Sequence, residues 1–208
     1  TDGFTVKLCD INEEFAAGGK KKIAKNFERL VSKGKMEQAK ADEILAKITT
    51  GTREIVSDCD LIVEAALERM DLKKELFKAL QGICKPDAIF ATNTSSLSIT
   101  EISSGLDRAV VGMHFFNPAP VMKLVEVIAG ITTPDETVEK IKKISVEIGK
   151  TPVQVKEAAG FVVNRILVPM INEAVGIYAD GTASAEDIDT AMKLGANHPM
   201  GPLALGDL

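Results

Sequence analysis

The sequence has no excess of positive charge: 25 lysines and arginines stand against 30 aspartates and glutamates, with a formal net charge of -5 and a pI near 5.2. It therefore lacks the basic face that a nucleic-acid-binding protein needs. An anionic ligand must be held locally, by particular lysines, loop amides and helix starts. Long hydrophobic runs are missing too. A bilayer span takes about 20 apolar residues, whereas the longest apolar stretch, Phe161 to Tyr178, is interrupted by Asn164, Arg165, Pro169, Asn172 and Glu173. No signal-peptide pattern is visible. Cysteine is scarce, and Cys9, Cys59 and Cys84 lie far apart, odd in number and without metal-ligand spacing. They read as small buried hydrophobes in a reducing cytosol. The expectation is a cytoplasmic protein with neither nucleic acid nor membrane as a partner.

What is present is an ordinary globular composition, 45% hydrophobic and 26% charged over 208 residues, enough for one large domain and part of another. Phe4 to Asp10 alternates apolar and polar and stops on an acid, as a strand ending at a crevice does. That acid can hold both hydroxyls of an adenosine ribose, or it can cap the helix that follows. Glu13 to Lys33 reads as a lysine-rich helix weakened by Gly18 and Gly19, and not as a phosphate loop, because no strand feeds the glycines. Met36 to Ile48 reads as another helix and Ile48 to Thr52 as a short strand. Asp60 to Ala66 reads as a strand buried on both faces, backed by an amphipathic helix over 71–83 that presents Leu72, Leu76, Phe77 and Leu80. Ala88 to Thr92 is the next strand and runs into Asn93-Thr94-Ser95-Ser96. The succession of strand and helix implies a parallel sheet with right-handed crossovers.

The centre of the pattern is Gly112-Met113-His114-Phe115-Phe116-Asn117-Pro118-Ala119-Pro120, followed by Val121 to Ile128. A buried strand carries an imidazole to its end, two prolines force a turn, and a second strand brings Glu126 back towards it. A histidine with a carboxylate partner is the minimum needed to move a proton at neutral pH. Further on, Pro134 to Gly149 reads as a helix, Thr151 to Lys156 as a last strand and Glu157 to Gly160 as a hinge. Domains are therefore expected at 1–158 and 159–208. The second opens with a long helix apolar nearly all round, Phe161 to Ala179, then a helix capped by Ser184, and Pro199-Met200-Gly201-Pro202 reads as a turn. The all-round apolar helix calls for more helices or a partner chain to cover it.

Taken together, Asn93-Thr94-Ser95-Ser96-Leu97, Gly112 to Pro118, Lys123-Leu124-Val125-Glu126-Val127, Gly160-Phe161-Val162-Val163-Asn164-Arg165, Ala191 to Gly195 and Pro199 to Pro202 closely resemble the 3-hydroxyacyl-CoA dehydrogenases. The resemblance covers almost the whole chain in unbroken order, with the bacterial 3-hydroxybutyryl-CoA enzymes nearest. It implies an α/β fold with a doubly wound Rossmann-type parallel sheet, followed by an all-helical domain for substrate and dimerisation, with NAD as cofactor and an acyl-CoA as substrate. It also implies a homodimer or a higher homo-oligomer.

Carried over by position, His114 is implied as the catalytic base, Glu126 as the acid orienting it, and Ser95 and Asn164 as the groups around the substrate oxygen. Asp10, Ala65, Glu68, Lys73, Ser95 and Asn117 are implied at the cofactor, and Lys33 with Asn26 at coenzyme A. Because Asn164 follows the hinge, a site between the domains is expected. The family pattern opens with a strand and a G-x-G-x-x-G turn and continues past the equivalent of Leu208, so this sequence reads as an internal piece. Ala159 replaces the family's proline. Two other readings stay open at this point: another hydroxyacid dehydrogenase of the same architecture, and a non-catalytic relative.

Overall fold

A computed structural model describes residues 3–208 and divides the chain into two compact units, one ending at Glu157 and the other running from Ala158 to Leu208. In the first unit β1 (Val6–Cys9) pairs in parallel with β2 (Ile48–Gly51), and α1 (Glu13–Ser32) and α2 (Gln38–Ala46) connect them. The α1 helix starts where it does because the Asn12 side chain accepts from the Phe15 amide at 2.8 Å. Asp10 is therefore not the cap, which removes one of its two possible jobs. The glycines Gly18 and Gly19 lie inside the helix, as expected, and Lys20 donates to the carbonyl of Ile48 to tie helix to strand.

The main sheet orders β3 (Leu61–Glu64), β4 (Ile89–Thr92), β5 (Val110–Phe115), β6 (Leu124–Ala129) and β7 (Thr151–Lys156). Three helices connect these strands: α3 (Met70–Gln81), α4 (Ile99–Ser103) and α5 (Asp135–Glu147). All pairs are parallel, as the succession of strand and helix implies, except β5 with β6, where the chain returns antiparallel. The cause is length. Residues 116–123 cannot make the dozen-residue crossover that a parallel return requires, so the chain folds straight back.

The sheet buries Ala91, Val111, Met113, Val125 and Val127 against Val138 and Ile141 of α5. Phe77 of α3 stacks on Phe90 at 5.2 Å. In this chain β3 stands at the end of the five-stranded order, with Glu64 buried and Val63 41% exposed. Cys84 is buried, and Cys9 and Cys59 are half-buried; burial pushes all three thiols up, away from the reactive thiolate.

The first unit closes on Glu157, whose carboxylate accepts from the Ser98 hydroxyl at 2.6 Å, the Thr100 amide at 3.1 Å and the Thr100 hydroxyl. Burial pushes this carboxyl up, but the two hydroxyls and the amides outweigh it and hold it below the usual carboxylate range. The first residue of the expected hinge is thus pinned to the start of α4.

The second unit contains α6 (Val163–Ala179), α7 (Ala185–Gly195) and α8 (Pro202–Gly206). The apolar α6 leaves Ile166, Val168, Val175 and Tyr178 exposed, and only its Ala174 is buried. Ser184 caps α7 as expected, accepting from the Asp187 amide at 3.1 Å. The expected turn at 199–202 leads into α8, which forms because Asp189 on α7 accepts from the amides of Leu203 at 2.8 Å and Ala204 at 3.0 Å. No helix among the described residues is long and apolar enough to cross a membrane.

One close approach in the sheet generates a prediction. A Cβ at Gly112 would lie 2.7 Å from Ile128 Cβ across the β5–β6 pair, while one at Gly18 in α1 would meet nothing within 4 Å. Gly112→Ala should destabilise by about 1–3 kcal/mol through overpacking. Gly18→Ala should stabilise by up to about 1 kcal/mol through helix propensity. Urea unfolding of the two variants checks the opposite signs, and equal effects would refute this account of the core.

Candidate active site

The antiparallel return of β6 determines the centre of the site. In its register His114 lies opposite Glu126, and both side chains point to the same face of the sheet. His114 Nδ1 and Glu126 Oε2 are 2.9 Å apart, with His114 3% and Glu126 1% exposed. A carboxylate only accepts, so Nδ1 carries the ring proton and donates it, which fixes the tautomer and the ring plane. The ring also packs against Phe116, with centroids 4.5 Å apart. Such a pair moves a proton through Nε2 while Glu126 stabilises the cationic ring.

The loop after β4 is joined to the same place. Asn93 Oδ1 accepts from the amide of Phe115, the residue after His114, at 2.8 Å. Thr94, Ser95 and Ser96 close over the carboxylate of Glu68. Glu68 Oε1 accepts from the Thr94 hydroxyl and from the amides of Ser95 at 2.8 Å and Ser96 at 3.1 Å. Burial pushes the Glu68 carboxyl up, but the Thr94 hydroxyl, the Ser95 amide and the Lys73 ammonium outweigh it and hold it below the usual range. Lys73 is 1% exposed and donates to Glu64 at 2.8 and 2.9 Å, with Glu68 Oε2 at 3.3 Å.

The other residues implied at the ligands occupy exposed positions, apart from the half-buried Asn164. Asp10 follows β1, with Oδ1 accepting from the Ile11 amide at 2.7 Å. Ala65 begins the loop after β3, and Asn117 precedes a cis peptide bond to Pro118. Lys150 donates to the carbonyls of Ala119 and Met122, at 2.7 Å to the latter, and pins the turn that carries Asn117. Asn26 is on α1 and Lys33 is the C-cap of that helix, about two turns further on and so on the same side. Asn164 is the second residue of α6, in the other unit. The acid after β1 and the loops following β3, β4 and β5 stand at the carboxyl ends of their strands, where open α/β sheets take ligands. Among the described residues no cluster of three or more His, Cys, Asp or Glu is placed to hold a metal.

Sequence reasoning passed over Glu64, Thr92, Asn93 and Lys150. For Glu64 a signal existed. On α3 the buried face is Lys73, Phe77 and Leu80, so a lysine sits at a core position of the helix and requires a buried anion nearby. The only acid within the preceding apolar run, 61–66, is Glu64. The link from Asn93 to Phe115 had no such signal.

Comparison with known proteins agrees with this geometry. Residues 1–158 match the NAD binding domain of 3-hydroxyacyl-CoA dehydrogenase and residues 160–208 match its C-terminal domain. The chain is 61% identical over 189 residues to a 3-hydroxybutyryl-CoA dehydrogenase of Clostridioides difficile, covering 89% of this chain and 67% of that one. It is 47% identical to a probable 3-hydroxybutyryl-CoA dehydrogenase of Bacillus subtilis, covering 99% and 72%. The crystal structure of (S)-3-hydroxybutyryl-CoA dehydrogenase from Ralstonia eutropha superposes with a TM-score of 0.96 at 45% identity, covering 99% of this chain and 74% of that one. With a Rossmann-type sheet, a buried histidine–carboxylate pair and both family domains matched in order, this chain belongs to the 3-hydroxyacyl-CoA dehydrogenase family, whose N-terminal domain binds NAD.

Proposed function

We propose that the protein interconverts a short-chain 3-hydroxyacyl-CoA and the corresponding 3-ketoacyl-CoA, with 3-hydroxybutyryl-CoA and acetoacetyl-CoA as the substrate pair. The observation that carries this reading is the 2.9 Å bond between His114 and Glu126, buried in a chain that is a member of this family. Bound NAD supplies the hydride acceptor or donor at C3.

The chain's own part is proton handling and positioning. His114 Nε2 takes the proton from the C3 hydroxyl during oxidation and returns it during reduction, while Glu126 offsets the charge that develops on the ring. Ser95 offers a hydrogen bond that aligns the alcohol or polarises the ketone. Asn164 is assigned to the same oxygen on the family resemblance alone. At the cofactor, Asp10 takes the ribose hydroxyls, and Ala65, Glu68, Ser95 and Asn117 line the remainder, with the buried Lys73 held behind Glu68. Lys33, with Asn26 on the same side of α1, takes the phosphates of coenzyme A. We further read the protein as a cytoplasmic homo-oligomer; the exposed apolar residues of α6 support the oligomer.

Three measurements test this. In the full-length enzyme His114→Ala should lower kcat by about two to four orders of magnitude with KM little changed, as removal of a general acid–base does. Glu126→Gln should fall between this variant and the parent, and substitution of the other histidine, His198→Ala in the polar loop after α7, should stay within a few-fold. Near-full turnover in His114→Ala would show that the proton moves elsewhere. Second, kcat/KM should favour NADH over NADPH, because the Asp10 carboxylate repels a 2′-phosphate. Asp10→Ala should narrow the gap, and a parent enzyme indifferent to the two cofactors would remove Asp10 from the site. Third, Lys33→Ala should raise KM for acetoacetyl-CoA about fivefold, the worth of one exposed ion pair of ~1 kcal/mol. It should leave KM for a thioester without the nucleotide unchanged, and equal shifts for both substrates would refute the assignment.

A further inference from the structure

We propose that Glu64 is a positioning residue that holds the Asn93–Ser96 loop in place through Lys73 and Glu68. Its bearing on catalysis rests on the reading of Ser95 given above; the path itself does not. Glu64 is the last residue of β3 and is 3% exposed. Its Oε1 accepts from Lys73 Nζ at 2.8 Å and from the Ala66 amide at 2.6 Å. Its Oε2 accepts from the Thr92 hydroxyl at 2.6 Å and from Lys73 Nζ at 2.9 Å. One carboxylate thus engages the end of β3, the end of β4 and a lysine on α3. Lys73 in turn lies 3.3 Å from Glu68 Oε2, and the other oxygen of Glu68 takes the Thr94 hydroxyl and the amides of Ser95 and Ser96.

Packing holds this loop at the fully buried Thr94 but not at Ser95 and Ser96. Residues 65–69 are exposed, Leu67 among them at 71%, and Ser95 and Ser96 are not buried. A partly exposed glutamate on such a segment would ordinarily turn to water. Here the buried ammonium of Lys73 gives Glu68 a fixed partner on one side, which aims its other oxygen at the Ser95 and Ser96 amides. Glu64 matters because a buried ammonium needs a full negative charge beside it. With an amide at position 64, Lys73 would be balanced by Glu68 alone and drawn towards it. The carboxylate that orients the loop would then move with the lysine.

The test combines amide hydrogen exchange with kinetics on the full-length enzyme. Glu64→Gln should speed exchange in peptides covering residues 93–97 by about tenfold or more, a local opening, while peptides from β5 to β7 keep their rates. It should lower kcat by about tenfold or more with KM for the acyl-CoA within threefold, as a small misplacement of a positioning loop does. Glu68→Ala, at a partly exposed side chain, should speed exchange at 93–97 to the same extent, and the double variant should exchange no faster there than Glu68→Ala, since the two act along one path. Should Glu64→Gln fail to fold, Glu68→Ala and the milder Thr92→Val carry the exchange test. Unchanged exchange at 93–97, or a rise spread evenly over the first unit with kcat per folded molecule retained, would overturn the proposal and leave Glu64 a stability residue. Ser95→Ala is the separate arm. Full kcat in that variant would remove Ser95 from the substrate oxygen, whereas the exchange rates still decide the path from Glu64.

Discussion

A charged side chain can stay in a protein core only if something answers its charge, and the hydrogen bond from His114 to Glu126 is where this molecule most depends on that rule. Both groups lie in strands whose other residues are all apolar or glycine, and neither would be tolerated there alone. The bond ties the register of β5 against β6, since a slip of one residue would turn one partner to the opposite face. It also gives the imidazole a fixed tautomer. Structure and chemistry therefore rest on one contact, and the glycine at 112, two residues before the histidine, permits the close approach of the two strands that holds the register.

Much of the fold could be read in the sequence because its causes are local. The start of α7 is set by a serine three residues before the amide it caps, and the turn after β5 by prolines within it. Where the cause was distant the reading failed. The α8 helix depends on Asp189, fourteen residues earlier, reaching its first amides, and no local pattern announces that. The β5–β6 return was half visible: the turn was plain, but its antiparallel sense follows from the shortness of the connection.

The site divides in the same way. His114 and Glu126 are legible because a histidine and a glutamate interrupt two apolar runs joined by a forced turn. Asp10 remained ambiguous until Asn12 was seen to cap α1. Lys73 was assigned by resemblance to the rim of the cofactor, and its ammonium proves to be enclosed between two glutamates, one of which the sequence reading did not single out. An apolar helical face carrying a lysine at a core position contains the information, but it becomes useful only when the lysine is asked where its counter-charge lies.

The reversal of chain direction at residues 116–123 bears on how the molecule comes to be assembled. His114 and Glu126 are 12 positions apart, whereas the bond from Thr92 to Glu64 spans 28 and that from Thr100 to Glu157 spans 57. Closing a short loop costs little chain entropy and is fast, while distant partners must wait for the chain between them to be ordered. The hairpin can therefore bring imidazole and carboxylate together before the parallel strands on either side have docked. Imidazole and carboxylate travel as one continuous stretch of sequence, which the longer-range bonds from Phe115 to Asn93 and from Lys150 to the turn then fasten to the remainder of the sheet.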